Sequence, residues 1–256
     1  GDRLPNHSPL QVAETYGTLE SMYPGRVDLG IGRAPGTDVE TAVLIYRQKY
    51  AQTEFFIQDI KNLQRFFSPE ELQGKVVAYP GVGTNVPITI LGSSLNSAYV
   101  AAELGLTYSF AGHFSPEMAE EAIEIYRKNF KPSKYLLEPY VILGVLAHGA
   151  ESDREAQRLY TSVQQGMINQ KKKKKGLYPL PDENFEENRN VTSAEKIFLK
   201  SKMGINLMGT TDTMSVKWEE VKKKYNPDEI IAVSYMPSLE QLETSYRILK
   251  EVVEKA

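Results

Sequence analysis

The sequence contains no cysteine among its 256 residues and only three histidines, His7, His113 and His148. The absence of cysteine excludes a disulfide framework, a thiolate metal site and a cysteine nucleophile from this chain. It also fits a reducing compartment, so we expect a cytoplasmic protein. Three dispersed histidines do not favour a multi-histidine metal centre, and we therefore expect no metal site.

Long hydrophobic runs and an excess of charge of either sign are also missing. The longest apolar run, Tyr140–Ala147, is far shorter than the roughly 20 residues needed to cross a bilayer. We also expect no secretory leader, because no charged and then apolar segment opens the sequence. Thirty lysines and arginines against 33 acidic residues leave a net charge of −3, without the basic face of a nucleic-acid binder. Neither a membrane nor a nucleic acid is therefore expected as a partner.

Short apolar runs alternate with amphipathic stretches along the chain, which indicates an α/β fold. Their nearly continuous apolar character is typical of parallel strands that are buried on both faces. They predict strands at Arg26–Gly32, Val86–Gly92, Thr107–Ala111, Tyr140–Ala147 and Glu229–Tyr235. Capping patterns predict helix starts at Ser8, Thr37, Ser68, Ser115, Ser152, Thr192 and Ser238, and a helix end at Gly105.

This alternation leaves two architectures open, a doubly wound open sheet and a closed (β/α)8 TIM barrel. Because the chain begins directly with a helix cap, a barrel would lack its first three β/α units here. We expect residues 1–256 to form a single, N-terminally incomplete domain.

The segment 164–190 interrupts the pattern. It contains five consecutive lysines, Lys171–Lys175, followed by a Gly-Leu-Tyr-Pro-Leu-Pro stretch and an acidic patch. Long insertions in compact domains are often functional. Two interpretations remain open, a solvated surface loop and a mobile lid over an active site.

The first candidate ligand site is the segment Gly30–Asp38, which follows a predicted strand and leads into a predicted helix. Its Arg33 side chain offers a fork of donors that suits a phosphate group. A dinucleotide-binding fingerprint would need glycine at position 35, where the sequence has Pro35, so we reject a Rossmann site. The alternative to a phosphate site is a tight turn with a surface arginine.

The second candidate is the segment Leu91–Ser97, which also joins a strand to a helix. Free backbone N–H groups and the dipole at a helix start attract anions. Gly92 allows close approach of the backbone, while Ser93, Ser94 and Ser97 add hydroxyl donors. The alternative is ordinary capping by one serine. Two such segments at consecutive strand ends favour a shared phosphate site.

The remaining candidates lie in other loops. Asn6 and His7 precede a capped helix, and the alternative to a ligand contact is a solvent-facing turn. His113 follows a predicted strand and is either an acid or base facing the substrate or a loop histidine. We interpret His148 as structural. Neither a Gly-x-Ser-x-Gly elbow nor a Walker-type phosphate loop is found, which argues against serine hydrolysis and nucleoside triphosphate binding.

Three stretches carry a resemblance to a known family: Leu4–Pro9, Tyr23–Asp38, and Leu91–Ser94 preceded by Val86-Pro87. Together they resemble the bacterial-luciferase-like flavin monooxygenases, and more closely the single-component luciferase-family oxidoreductases. The resemblance implies a (β/α)8 barrel that binds reduced FMN at the carboxyl ends of its strands. It also implies that the FMN phosphate is held by Arg33, the backbone near Ala34 and Pro35, and Ser93, Ser94 and Ser97.

The resemblance further implies an enzyme that oxidises an unknown organic substrate with reduced FMN and O2. The reduced flavin would come from NAD(P)H through this chain or a partner flavin reductase, and a homodimer is expected because the family often dimerises. Asn6 and His7 would lie near the flavin ring, and His113 would face the substrate. A Glu-His-His-type segment that full-length members carry before Leu4–Pro9 is not in this sequence. Two alternatives therefore stay open, a flavin-binding protein without turnover and an oxidoreductase that uses a deazaflavin.

Overall fold

The computed structural model describes residues 2–34, 39–46 and 53–255 of the chain. Its strands are β1 (Asp2–Arg3), β2 (Leu29–Gly32), β3 (Ile88–Gly92), β4 (Thr107–Phe110), β5 (Val141–Gly149), β6 (Asn206–Gly209) and β7 (Glu229–Val233). Its helices are α1 (Pro9–Met22), α2 (Val39–Tyr46), α3 (Thr53–Phe66), α4 (Leu95–Leu104), α5 (Ala119–Asn129), α6 (Asp153–Lys171), α7 (Phe185–Asn188), α8 (Ser193–Ser201), α9 (Thr211–Tyr225) and α10 (Leu239–Glu254). Among the helices of these described ranges, none has the length and apolar character of a transmembrane segment.

The chain divides into two compact units. The first comprises Gly1–Ser109 and Glu124–Tyr140, and the second comprises Phe110–Ile123 and Val141–Ala256. In the first unit β1 pairs with β2 and β2 pairs with β3, whereas in the second unit β5 pairs with both β6 and β7. All these pairings are parallel, as predicted, so the carboxyl ends of paired strands lie along one edge within each unit.

Burial of the strands follows their apolar sequences, with one exception. Leu29, Ile31 and Ile90 are buried in the first unit, as is nearly all of β5 in the second. Strand β7 differs, because Ile231 is 52% exposed and the strand pairs with β5 alone in the described part of the chain. The prediction that Glu229–Tyr235 is buried on both faces was therefore wrong.

Each of the five predicted strands is present, with shifted ends. β2 and β3 begin later than predicted, at Leu29 and Ile88, and β5 continues to Gly149. The sequence did not predict β1 or β6. β1 has only two residues, Asp2 and Arg3, both polar, and β6 is a four-residue strand with only two strongly apolar side chains. Neither segment has the apolar run by which a strand is recognised.

Most of the predicted helix ends are confirmed. Four starts have the expected side-chain cap, at Ser8, Ser152, Thr192 and Ser238, and Thr192 with Glu195 forms a complete capping box. Gly105 ends α4 in the left-handed conformation, with φ 58°.

Three predicted helix starts have a different outcome. The prediction of a helix start at Ser68 was wrong. Its hydroxyl donates to the carbonyl of Arg65, and only a short 3-10 turn follows. Ser115 precedes a 3-10 turn without capping it through its side chain. Thr37 lies outside the described residues.

Candidate functional site

Arg33 directly follows β2, and its side chain is held in the first unit by a hydroxyl group. Its Nη1 atom donates to Oγ1 of Thr53, at the first residue of α3, over 2.7 Å. The same oxygen lies 3.4 Å from Nδ2 of Asn96, in the first turn of α4. The structure therefore connects the carboxyl end of β2 to the start of α4, as the two-segment phosphate hypothesis requires. Ala34 is exposed beside Arg33, and Pro35 lies outside the described residues.

The start of α4 has no side-chain cap. Ser94 occupies the N-cap position in an extended conformation, with φ −145° and ψ 161°, but its side chain makes no capping hydrogen bond. Ser93 and Ser94 are both partly exposed. The Ser97 N–H group donates to the carbonyl of Ser94 over 3.2 Å. The N–H groups that precede it in the first turn have no acceptor within a helix, so they are the ones that can donate to an anion.

The Ser97 hydroxyl already has hydrogen-bond partners within the protein. It lies 2.5 Å from the carbonyl oxygen of Ser94 and 3.0 Å from the hydroxyl of Tyr108. A side chain at Gly92 would collide with Ser97, so glycine is required for β3 and α4 to pack closely. These contacts make Ser97 and Gly92 supports of the turn that presents Ser93 and Ser94.

Tyr108 is a residue of this region that the sequence did not single out. It is fully buried on β4, burial raises the pKa of its hydroxyl, and the hydroxyl is within hydrogen-bond distance of Ser97. Its ring packs against that of Tyr126, with centroids 5.2 Å apart. A tyrosine in a strand is usually interpreted as a core residue. No sequence signal therefore indicated that its hydroxyl supports the start of α4.

Asn6 and His7 lie in the same unit, at the end of the 3-10 turn Leu4–Asn6. The Oδ1 atom of Asn6 is buried and accepts no hydrogen bond in the described structure. Leaving a buried carbonyl oxygen without a donor is costly, and a ligand N–H group would supply one. His7 is half exposed, with Nε2 3.6 Å from a carboxylate oxygen of Asp2.

His113 belongs to the second unit, unlike the other candidate residues. Its imidazole Nδ1 faces the backbone of Gly144 on β5, and the carbonyl of His113 packs against Gly204. Burial lowers the pKa of His113, an effect that the nearby Gly144 backbone partly opposes, and the buried Nδ1 atom has no hydrogen-bond partner among the described residues. The net lowering keeps this imidazole neutral at pH 7, a state that can accept a proton.

His148 is fully buried on β5, which agrees with its structural interpretation. Its Nδ1 atom lies 3.2 Å from Oδ1 of Asn206 on β6, and its ring meets Tyr160 edge-on at 5.2 Å. Burial lowers the pKa of His148 to about 4, against a partial opposing effect of the hydrogen bond with Asn206.

The lysine-rich segment is more structured than a free loop. Residues 164–171 complete α6, and Lys172 forms an ion pair with Glu195, whose pKa falls to about 2 through that contact and the Thr192 cap. Tyr178 stacks on Tyr235 with ring centroids 5.4 Å apart. Leu177, by contrast, is 97% exposed.

These features fit the phosphate end of a flavin nucleotide. Arg33 is a permanent cation, the α4 start is uncapped, and neither has a carboxylate partner in the described ranges. The unpaired oxygen of Asn6 is suited to a ring N–H group. Within the described residues, no three histidine or carboxylate side chains are grouped so as to hold a metal ion.

Comparison with known proteins places the chain in a family. The family model for luciferase-like monooxygenases matches residues 3–202. The chain belongs to the luciferase-like monooxygenase family. It is 44% identical over 255 residues to the uncharacterized protein YddN of Bacillus subtilis (strain 168), covering 100% of this chain and 75% of that protein. It is 37% identical over 231 residues to a luciferase-like monooxygenase of Escherichia coli (strain K12), covering 90% of this chain and 68% of that protein.

Solved structures confirm the predicted luciferase-like TIM-barrel fold. The crystal structure of apo-MsnO8 matches with a TM-score of 0.89 and 27% identity, covering 99% of this chain and 76% of that chain. Two more distant solved structures share this fold and are described with different cofactors, each at a TM-score of 0.65 and 15% identity. One is the oxygenating constituent of 3,6-diketocamphane monooxygenase in complex with FMN, and 76% of that chain is covered. The other is the coenzyme F420-dependent tetrahydromethanopterin reductase of Methanopyrus kandleri, of which 80% is covered. Proteins that share this fold therefore include one solved with FMN and one that depends on F420.

Proposed function

We propose that this protein is an FMN-dependent monooxygenase that oxidises a small organic substrate with reduced flavin and O2. The observation that carries the proposal is the uncapped start of α4, linked through Thr53 to the Arg33 guanidinium. A dianionic phosphate would receive hydrogen bonds from the guanidinium and from the backbone and hydroxyls of Ser93 and Ser94. The backbone near Ala34 and Pro35 completes this proposed set.

The remaining candidate residues have roles nearer the reacting atoms. Bound reduced FMN supplies the electrons with which O2 is activated toward the substrate. The Oδ1 atom of Asn6, which is buried without a hydrogen-bond partner among the described residues, would accept a hydrogen bond from an N–H group of the flavin ring. His7 and His113 are the proposed acid–base residues, and the lowered pKa of His113 provides a neutral imidazole that can take up a proton.

The segment 164–190 acts in this proposal as a lid that excludes bulk water from the reduced cofactor. Electrons for the flavin would come from NAD(P)H through this protein or a partner reductase, and we propose a homodimer as the active form.

The experiment is anaerobic reduction of the FMN-loaded protein followed by rapid mixing with O2. A monooxygenase shows an absorbing species that precedes oxidised flavin and decays faster when substrate is present. A flavin-binding protein without turnover shows reoxidation in one step, which would contradict the proposal. Arg33→Ala with FMN at saturating concentration serves as the control, because it weakens binding without touching the acid–base residues.

A second candidate cofactor is F420, because an F420-dependent reductase shares this fold at a TM-score of 0.65. Fluorescence titration of the purified protein with FMN and with F420 separates the two. Tighter binding of F420 would replace the monooxygenase proposal with a deazaflavin-dependent oxidoreductase.

A further inference from the structure

Thr53 joins three elements of the first unit at a single oxygen atom. It is the first residue of α3, and its Oγ1 receives Nη1 of Arg33, from the end of β2, at 2.7 Å. Asn96, in the first turn of α4, places Nδ2 3.4 Å from the same oxygen. These side chains are 20 and 43 residues from Thr53 along the chain, so only the fold brings them together.

The chemistry of the three groups determines what Thr53 still offers. A guanidinium and an amide N–H group can only donate, so both occupy lone pairs of the threonine oxygen. The hydroxyl hydrogen is then directed away from Arg33 and Asn96, and in the described ranges no acceptor takes it. An O–H donor beside a fixed guanidinium matches an oxyanion, which accepts from both.

The hydrogen bond to Thr53 also restrains Arg33. An arginine side chain loses considerable rotamer freedom when it binds a ligand, and a side chain already held in place loses less. The other four N–H donors of the guanidinium have no partner among the described residues and are available to an anion. Thr53 can thus strengthen phosphate binding by its own donor and by preparing the position of Arg33.

We propose that Thr53 binds the flavin phosphate and positions Arg33, and that it thereby makes this protein prefer FMN to riboflavin. The inference rests on the proposed phosphate site, to which it adds a ligand from α3. FMN and riboflavin share the ring and the ribityl chain, so the ratio of their dissociation constants reports on the phosphate alone.

The test compares Thr53→Val, which keeps the shape but removes the hydroxyl, with Thr53→Ser, which keeps the hydroxyl. Quenching of flavin fluorescence gives both dissociation constants, and thermal melting checks the fold. We expect Thr53→Val to weaken FMN binding roughly tenfold, the scale of one hydrogen bond to a charged group, and to leave riboflavin binding unchanged. Thr53→Ser should retain most of the preference for FMN. Thr18→Val is the matched control, because the Thr18 hydroxyl donates to the carbonyl of Glu14 within α1, away from the proposed phosphate site.

A double variant separates binding from positioning. If Thr53 acts partly through Arg33, Thr53→Val should weaken FMN binding by a smaller factor in an Arg33→Ala background than in the wild-type protein. Equal weakening of FMN and riboflavin by Thr53→Val, or an unchanged FMN preference, would overturn the inference while leaving the phosphate site intact. A wild-type protein without any preference for FMN would overturn the phosphate site itself.

Discussion

Helices α4 and α9 each begin directly after a short parallel strand, yet their first turns have different partners. At α9, Thr210 caps the helix, and Asp153 accepts hydrogen bonds from the Thr210 backbone at 3.0 Å and the Thr213 hydroxyl at 2.8 Å. At α4, no side chain of the described residues caps the start, and the nearby charge is the cation Arg33. A carboxylate satisfies the partial positive charge of a helix start, whereas a cation adds to it.

The comparison shows which of the two helix starts is available to a ligand. The α9 start is already neutralised by the protein's own carboxylate, so its contacts contribute to stability. The α4 start combines two positive features that a bound anion would relieve. If this interpretation is right, changes around α9 and the neighbouring strands β5 and β6 should alter stability, and changes around α4 should alter flavin affinity.

The largest expected effect is a loss of stability at low pH. We expect it to arise from His148, which lies on β5 and contacts Asn206 on β6. The folded protein holds this imidazole neutral, with its pKa lowered from 6.5 to about 4 by burial. As the pH falls from 6.5 towards 4, the His148 side chain takes up a proton in the unfolded chain but not in the folded chain. The free energy of unfolding should therefore fall by about 3 kcal/mol between pH 7 and pH 4 from this group.

Denaturant unfolding at several pH values measures this effect. His148→Leu should remove that part of the pH dependence, whereas His7→Gln, at a half-exposed position, should keep it. A wild-type protein equally stable at pH 4 and pH 7 would show that His148 is not held neutral.

The next largest effect is expected at the α4 start. Arg33→Ala should weaken FMN binding by roughly 1.5–3 kcal/mol, the range for a hydrogen bond to a charged group. Its melting temperature should stay near that of the wild type. Arg26→Ala is the control, because Arg26 is an exposed arginine whose guanidinium lies over the ring of Tyr23. Fluorescence titration with an unchanged FMN affinity for Arg33→Ala would remove the phosphate assignment.

Unlike Arg33→Ala, Asp153→Asn should lower the melting temperature and leave the FMN affinity unchanged. Hydrogen bonds from Thr210 and Thr213 lower the pKa of Asp153 from 3.8. Its stabilising contribution is therefore complete above that pH and is lost as the pH falls through the lowered pKa. The gap in melting temperature between wild type and variant should narrow in strong acid. If Asp153→Asn weakened FMN binding without lowering stability, the proposed difference between the α4 and α9 starts would be wrong.

The smallest effect on affinity is expected from the lysine-rich segment. Replacing Lys171–Lys175 with serine should change FMN affinity by no more than about twofold, since exposed charges contribute little to binding at a distance. Reoxidation of the reduced flavin by O2 should become faster if the segment excludes solvent. A large loss of affinity would place these lysines in the binding site instead of a lid.

The sequence predicted most of the regular structure because the signals are local. Capping by Ser8, Ser152, Thr192 and Ser238 depends on residues three positions apart, and apolar runs mark strands such as β5. Strand β6 has no such run and was missed. The family resemblance depended on contiguous motifs such as Leu4–Pro9, which are also local properties of the chain.

Tertiary structure decided which side chains meet. Arg33 was predicted to bind phosphate from its segment alone, but its link to Thr53 and Asn96 spans 20 and 43 residues and has no sequence signature. Ser97 was grouped with Ser93 and Ser94 by spacing, yet packing against Tyr108 turned its hydroxyl inward. Local sequence determines the conformation of a segment, because it depends on neighbouring side chains and backbone hydrogen bonds. The orientation of a polar group depends on distant partners, which only the folded chain supplies.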